Sequence, residues 1–192
     1  MNDYYEKNSN SYIVESMSQE TIKHMFKLYQ LSLDIFKEYK NPKILDIGFG
    51  SGRDILYFQK LGFDITGIDT CYAFYQYASE LNLNVFYEAI EEHYPGFDNV
   101  YDIIYSIGVI FHLNKEERIS FFKSLSEKLK NNGKFILSYN TLGRTKDKER
   151  KFYKVNEEDI LKESGMKVVK MEKMFDKRGF EWITTVFEKK YT

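Results

Sequence analysis

The segment Ile44-Leu45-Asp46-Ile47-Gly48-Phe49-Gly50-Ser51-Gly52-Arg53-Asp54 carries the strongest chemical signal in the chain. A short apolar run enters G-x-G-x-G and a helix-forming stretch leaves it. Glycines let the backbone turn sharply and let a ligand approach the main chain. A helix start adds N–H groups that have no partner inside the helix. The second signal is Asp69, which closes the next apolar run in Gly67-Ile68-Asp69-Thr70. A carboxylate there can accept both hydroxyls of a ribose, the chemistry of a nucleoside-containing ligand. A dinucleotide enzyme shares this layout, but its fingerprint asks for glycine or alanine at the sixth position, where this chain has Arg53. The chain also leaves little length for a separate substrate domain.

Other residues could act beside that ligand. His112, in Phe111-His112-Leu113, follows the fourth apolar run and is the first candidate for a general base; a structural histidine bonded to a loop fits the same position. Cys71 reads as a small buried hydrophobe. His24 and His93 read as surface or loop residues. Tyr4, Tyr5 and Tyr12 precede the first strand and could close over the pocket or simply pack a terminal arm. Arg144 to Lys154 hold six Lys/Arg against Asp147 and Glu149, with Phe152-Tyr153 alongside. Three roles fit that stretch: a solvated charged loop, a nucleic-acid contact, or a substrate loop in which Arg144 or Arg150 pairs with an anionic small molecule. Arg178 and Trp182, at the last hairpin, could line the same cavity, as could Tyr153.

These groups need a frame to hold them. Apolar residues at helical spacing over Ser18–Tyr39 predict a helix with Ile22, Met25, Phe26, Tyr29, Leu33 and Phe36 in the core, stopped by Asn41-Pro42. Strands are expected at 43–47, 63–69, 83–87, 101–107 and 134–139, with helices at 53–61, 72–81 and 115–130 between them. Asn114 and Glu117 form a capping box, and Asn156 caps a last helix ended by Gly165. Strand–helix alternation predicts a parallel sheet with helices on both faces. The strands at 166–174 and 180–188 are joined too closely for a parallel crossover, so they pair antiparallel.

Composition narrows the function classes. Hydrophobic residues make up 43% of the 192, charged residues 30%, and the formal net charge is -1. No global positive field recruits nucleic acid. One Cys excludes an intramolecular disulfide and a cysteine-based zinc site, and three scattered His offer no metal-ligand spacing. The polar start MNDYYEKNSN does not read as a secretory signal, and the longest apolar stretch is too short to span a bilayer. A cytoplasmic protein without a membrane partner is the expectation.

Asp46-Ile-Gly-Phe-Gly-Ser-Gly-Arg-Asp together with Asp69 resembles the first two motifs of class I S-adenosylmethionine-dependent methyltransferases. Tyr101-Asp102-Ile103-Ile104-Tyr105-Ser106 is similar to their fourth-strand motif, and Leu129 to Phe135 to the turn before the fifth strand. Gly-Ser-Gly-Arg-Asp with Tyr57-Phe58 is similar to a bacterial, tellurite-resistance-like subgroup. The resemblance implies a three-layer α/β sandwich: a Rossmann-like, mostly parallel sheet with an antiparallel strand near one edge. It implies one domain over 1–192, with 1–40 a helical arm or lid and 43–192 the core. The implied cofactor is S-adenosylmethionine, leaving as S-adenosylhomocysteine, and the implied acceptor is a small-molecule nucleophile. Gly48, Phe49 and Gly50 would lie against methionine and ribose. Asp46 would hold the amino group, Arg53 the carboxylate, and Asp69 the ribose, with Thr70 beside the adenine. Ala89 and Ile90 would frame the adenine, Ser106 would sit by the sulfonium, and Tyr12 would close over the cofactor. Phe49 replaces the commoner Cys or Thr, and Ala89 the usual Asp. Ser106-Ile107-Gly108-Val109 replaces Asn/Asp-Pro-Pro-Tyr, which argues against methylation of DNA base amines. An RNA or protein methyltransferase, or a cofactor-binding protein without catalysis, are the alternatives. Oligomeric state is left open.

Overall fold

A computed structural model describes residues 2–93, 100–141, 150–176 and 179–190. Three helices come first: α1 (Asn2–Ser16), α2 (Gln19–His24) and α3 (Phe26–Phe36). Then follow β1 (Lys43–Ile47), α4 (Arg53–Lys60), β2 (Asp64–Asp69), α5 (Tyr72–Glu80), β3 (Val85–Tyr87) and β4 (Tyr101–Ile107). A 3-10 turn, Ile110–His112, leads to α6 (Lys115–Lys128), β5 (Leu129–Asn140), α7 (Glu157–Ser164), β6 (Lys167–Phe175) and β7 (Glu181–Glu188). Among the described residues the strands form one seven-stranded sheet in the order β3-β2-β1-β4-β5-β7-β6. β7 slots antiparallel between β5 and β6, while β1 to β5 run parallel. The short β6–β7 connection therefore does what its length dictates.

β1 is buried on both faces, as a central parallel strand must be. Ile44 faces a core shared with Leu31, Ile35, Phe36, Ile55 and Phe58 of α3 and α4. Leu45 faces the opposite core, shared with Phe121, Phe122 and Leu125 of α6 and Ile160 of α7. Those two helices are clamped by a buried bidentate pair, with Arg118 Nε and Nη2 each 2.8 Å from the Glu163 carboxylate. The α6 capping box forms as expected. No described helix is long and apolar enough to cross a membrane.

The chain departs from its sequence pattern in three places. The single helix expected over 18–39 is broken at Met25 into α2 and α3, and α2 buries no residue. Ile22 and Phe26 stay exposed, and the buried stripe becomes Leu28, Tyr29, Leu31, Ser32, Ile35 and Phe36. β5 begins at Leu129, so Asn131-Asn132-Gly133 lies inside a strand and not before it. Asn132 takes a left-handed φ of 61°, which asparagine tolerates, and the β4–β5 register shifts there. Finally, His93 is fully buried: Nδ1 meets Glu88 at 2.5 Å and Nε2 meets the Tyr101 hydroxyl at 2.6 Å.

Candidate functional site

The site forms where β1, β2 and β4 end, the place at which an open parallel sheet binds ligands. Gly48 adopts φ 74°, and a Cβ there would lie 2.3 Å from Val109 Cγ2. Gly50 adopts φ 55°, and a Cβ there would lie 3.2 Å from the Tyr12 ring. Glycine is required at both on backbone and steric grounds. Their turn carries the Gly50 N–H to Asp69, whose Oδ2 accepts it at 2.9 Å, while Oδ1 accepts the Cys71 N–H at 2.8 Å. Burial pushes the Asp69 carboxyl up to about 6, against the pull of N–H bonds from Gly50, Cys71 and Thr70. Each oxygen keeps lone-pair capacity for a further donor.

A crevice of about 290 Å³ opens here, walled by Gly48, Gly50, Asp69, Thr70, Ala89 and Ile90. A second cavity, of about 270 Å³, is walled by Arg53, Phe111, Asn140, Arg150, Phe152 and Trp182. Tyr5, Tyr12, Ile107 and Gly108 line both spaces and mark their junction.

α1 roofs the crevice and is pinned on two sides. Glu6 accepts the N–H groups of Tyr72 at 2.5 Å and Ala73 at 3.0 Å, at the start of α5. A carboxylate suits that end of a helix dipole. On the other side the Tyr5 hydroxyl lies 2.9 Å from His112 Nε2. His112 Nδ1 lies 2.9 Å from the Lys151 carbonyl. A carbonyl only accepts, so Nδ1 carries the ring proton, and Nε2 receives the Tyr5 O–H.

Beneath the glycine turn, Asp46 is buried and its Oδ2 has no hydrogen-bond partner among the described residues. Burial, then the Asp54 charge, holds its carboxyl well above the usual range. Arg53 grips Asp54 through Nε at 2.7 Å and Nη2 at 3.1 Å, and the Tyr29 hydroxyl donates to the same carboxylate at 2.5 Å. Burial works against the Arg53 charge, and Asp54 more than restores it.

Several residues singled out in the sequence thus converge on the crevice or the adjoining cavity: Tyr12, Gly48, Gly50, Arg53, Asp69, Thr70, Ala89, Ile90, His112, Arg150 and Trp182. Others do not reach it. Phe49 turns into the core beside α4, and Ser106 is buried behind the wall, donating to the Ile47 carbonyl at 3.1 Å. Tyr153 bonds its N–H to the Phe111 carbonyl at 2.8 Å and lines neither space. Arg144 and Arg178 lie outside the described residues. Asp46 is underneath the turn rather than on the crevice wall. The role of Gly108 at the junction, at φ 77°, had no sequence signal beyond its place after β4. Tyr5 had one: it stands seven residues before Tyr12, on the same face of a helix.

Residues 45–137 match the family described as a methyltransferase domain. The matched segment runs from β1 into β5 and so contains the glycine turn and Asp69. Among the relatives, the phosphoethanolamine N-methyltransferase of Plasmodium falciparum is 32% identical over 106 residues, 52% of this chain and 39% of that protein. The TehB protein of Haemophilus influenzae, described as a probable S-adenosyl-L-methionine-dependent methyltransferase, is 34% identical over 99 residues, 50% of this chain and 35% of its own length. The chain therefore spans well under half the length of these curated relatives. Among solved structures, the 1,6-didemethyltoxoflavin-N1-methyltransferase of Burkholderia thailandensis, with 1,6-didemethyltoxoflavin and S-adenosylhomocysteine bound, has a TM-score of 0.71 at 16% identity, over 100% of this chain and 91% of that one.

Proposed function

We propose that this chain binds S-adenosylmethionine in the Asp69 crevice and transfers its methyl group to a small-molecule nucleophile held in the adjoining cavity. One observation carries the reading: the two spaces share Tyr5, Tyr12, Ile107 and Gly108 as walls, so ligands in them would lie on either side of the same residues. The residues fit the cofactor. Asp69 is fixed by two backbone N–H groups to face ribose hydroxyls. Gly48 and Gly50 carry no side chain into the crevice, which leaves their main chain open to the amino-acid end of the cofactor. Ala89 and Ile90 supply an apolar slot for a flat base. The described chain acts as one cytoplasmic unit, with α1 as its lid and α3 part of the core.

When bound, the sulfonium supplies an electrophilic methyl carbon, and a neutral thioether remains after transfer. The protein aligns the acceptor with that carbon and takes up the acceptor's proton. Tyr5 faces the junction with its O–H donated to His112 Nε2. The acceptor proton passes to the Tyr5 oxygen as the tyrosine proton passes to Nε2, so one proton leaves the acceptor and one arrives on His112. The acceptor would then hold a free electron pair facing the methyl carbon that the bound cofactor would supply. The Lys151 carbonyl accepts from Nδ1 and is placed to stabilise the imidazolium.

A thermal-shift titration tests the reading. S-adenosylmethionine and S-adenosylhomocysteine should each raise Tm in proportion to ln(1 + [L]/Kd), and nicotinamide dinucleotides should not. A shift with dinucleotides alone overturns it. The lid makes a separate expectation. Glu6→Ala removes the carboxylate that caps α5 and should speed release of S-adenosylhomocysteine roughly fivefold, the equivalent of a cap worth ~1 kcal/mol. Stopped-flow displacement reads the rate, and an unchanged rate would show that α1 does not gate the crevice.

A further inference from the structure

Resting on the methyl-transfer reading, we infer that the acceptor is a planar aromatic or heteroaromatic molecule whose ring lies against Trp182, Phe111 and Phe152. Three features of the second cavity carry this.

The first is the wall. The Phe111 ring stands edge-on to Trp182, centroids 6.0 Å apart at 73°, and Phe152 tilts against Phe111 at 5.6 Å. Trp182 is half-buried and fixed, because its indole N–H donates to Asp176 Oδ2 at 3.3 Å. Gly108 leaves the approach open: a Cβ there would meet Phe111 and Trp182, each at 3.8 Å. Rings of this kind favour a flat π-system set offset or edge-on between them.

The second is the cost of alternatives. A compact, strongly hydrated ion would have to give up water against these rings and against Leu28 and Ile107, which is expensive without dedicated counter-charges. The cations at hand are committed. Arg53 is held by Asp54 and Tyr29. The Arg150 guanidinium lies 4.6 Å from the Tyr4 ring centroid and 5.5 Å from that of Phe152. With Arg150 seated over those rings, a cationic amine would meet a like charge, while of the two lining carboxylates Asp176 is engaged by the Trp182 indole and Glu15 is exposed to water. A flat ring pays neither cost.

The third is the polar floor. Ser138 lines the cavity and accepts the Thr184 hydroxyl at 2.9 Å, which leaves its own proton to donate. A ring nitrogen or carbonyl can accept it, and that would orient the ring with its nucleophilic O–H or N–H toward Tyr5. The size is consistent: about 270 Å³ suits one or two fused rings.

Trp182 is the chain's single tryptophan, so the site reports on itself. The experiment titrates the full chain, preloaded with S-adenosylhomocysteine, with 8-hydroxyquinoline, 4-hydroxyphenylacetate and phosphoethanolamine, following tryptophan emission and, in parallel, heats of binding. The planar compounds should quench the emission saturably and phosphoethanolamine should not bind. Trp182→Leu should weaken the planar compounds about tenfold, as judged by calorimetry, while Trp182→Phe keeps most of the affinity. Binding of phosphoethanolamine in preference to both planar compounds, or planar binding indifferent to Trp182→Leu, overturns the inference. Preloading separates the two readings: failure of S-adenosylhomocysteine to bind defeats the methyl-transfer reading, whereas failure of the rings to bind the loaded protein defeats only the substrate class. Should either variant unfold, Phe152→Leu reads the same wall from its other side with the same tenfold expectation.

Discussion

His112→Ala lowers kcat by roughly 100- to 10,000-fold, the range a positioned general base contributes. Tyr5→Phe removes the hydroxyl that faces the junction and should cost a similar factor, since Nε2 reaches the acceptor only through it. The double variant should be little worse than either single one, because residues that act as a unit are not additive. Cofactor affinity separates this from a structural role. His112 lines the crevice, but the group matched to the ribose is Asp69. Calorimetry with S-adenosylhomocysteine should therefore give a Kd within about threefold of the parent for both variants, less than one ordinary hydrogen bond is worth. If Kd rises and Tm falls while kcat at saturating cofactor is kept, His112 merely pins α1 to residue 151. The acceptor's own pKa sets a further split. A thiol that ionises near neutral pH needs no base and should escape the loss, whereas a phenol or an amine should show it in full.

The sequence signalled the crevice better than the cavity, for a physical reason. A glycine turn with a following carboxylate is a local pattern, and each part constrains backbone geometry within a few residues. Gly48, Gly50 and Asp69 were legible because nothing else at those positions makes that turn and that acceptor. The parallel sheet and its antiparallel closing pair followed from alternation and connection length. The second cavity, by contrast, is assembled from α1, the β4 end, residues 150–152 and β7, far apart in the chain. Tyr5 and His112 meet across 107 positions, and no periodicity encodes that. The α2–α3 break was hidden for the opposite reason. The apolar spacing of Ile22, Met25 and Phe26 is helical on both sides of it, and only the burial of Leu28 and Leu31 shows which stripe faces the sheet. Ser106 shows the limit of motif logic: it occupies the right position in the chain, yet its hydroxyl is used on the Ile47 carbonyl behind the wall.

Asp69→Ala should weaken S-adenosylmethionine binding by about 1–3 kcal/mol, the cost of leaving buried hydroxyls without their acceptor. The pH dependence makes the test sharper than the affinity alone. The free carboxyl titrates at about 6, because burial outweighs the N–H bonds from Gly50 and Cys71. Only its ionised form offers both oxygens purely as acceptors, while the protonated form sets an O–H against a ribose O–H. Binding therefore selects the ionised state and draws the bound pKa below the free one. The sign follows: affinity rises as pH climbs through about 6 and then levels, and each unit below that value costs up to tenfold. In Asp69→Ala the slope between pH 5 and 7 should vanish along with the affinity. A parent protein whose Kd is flat over that range would show that the ribose is not held by Asp69. A slope that survives in the variant would move the titration to another group, with Asp46, the buried carboxylate beneath the turn, the first to examine.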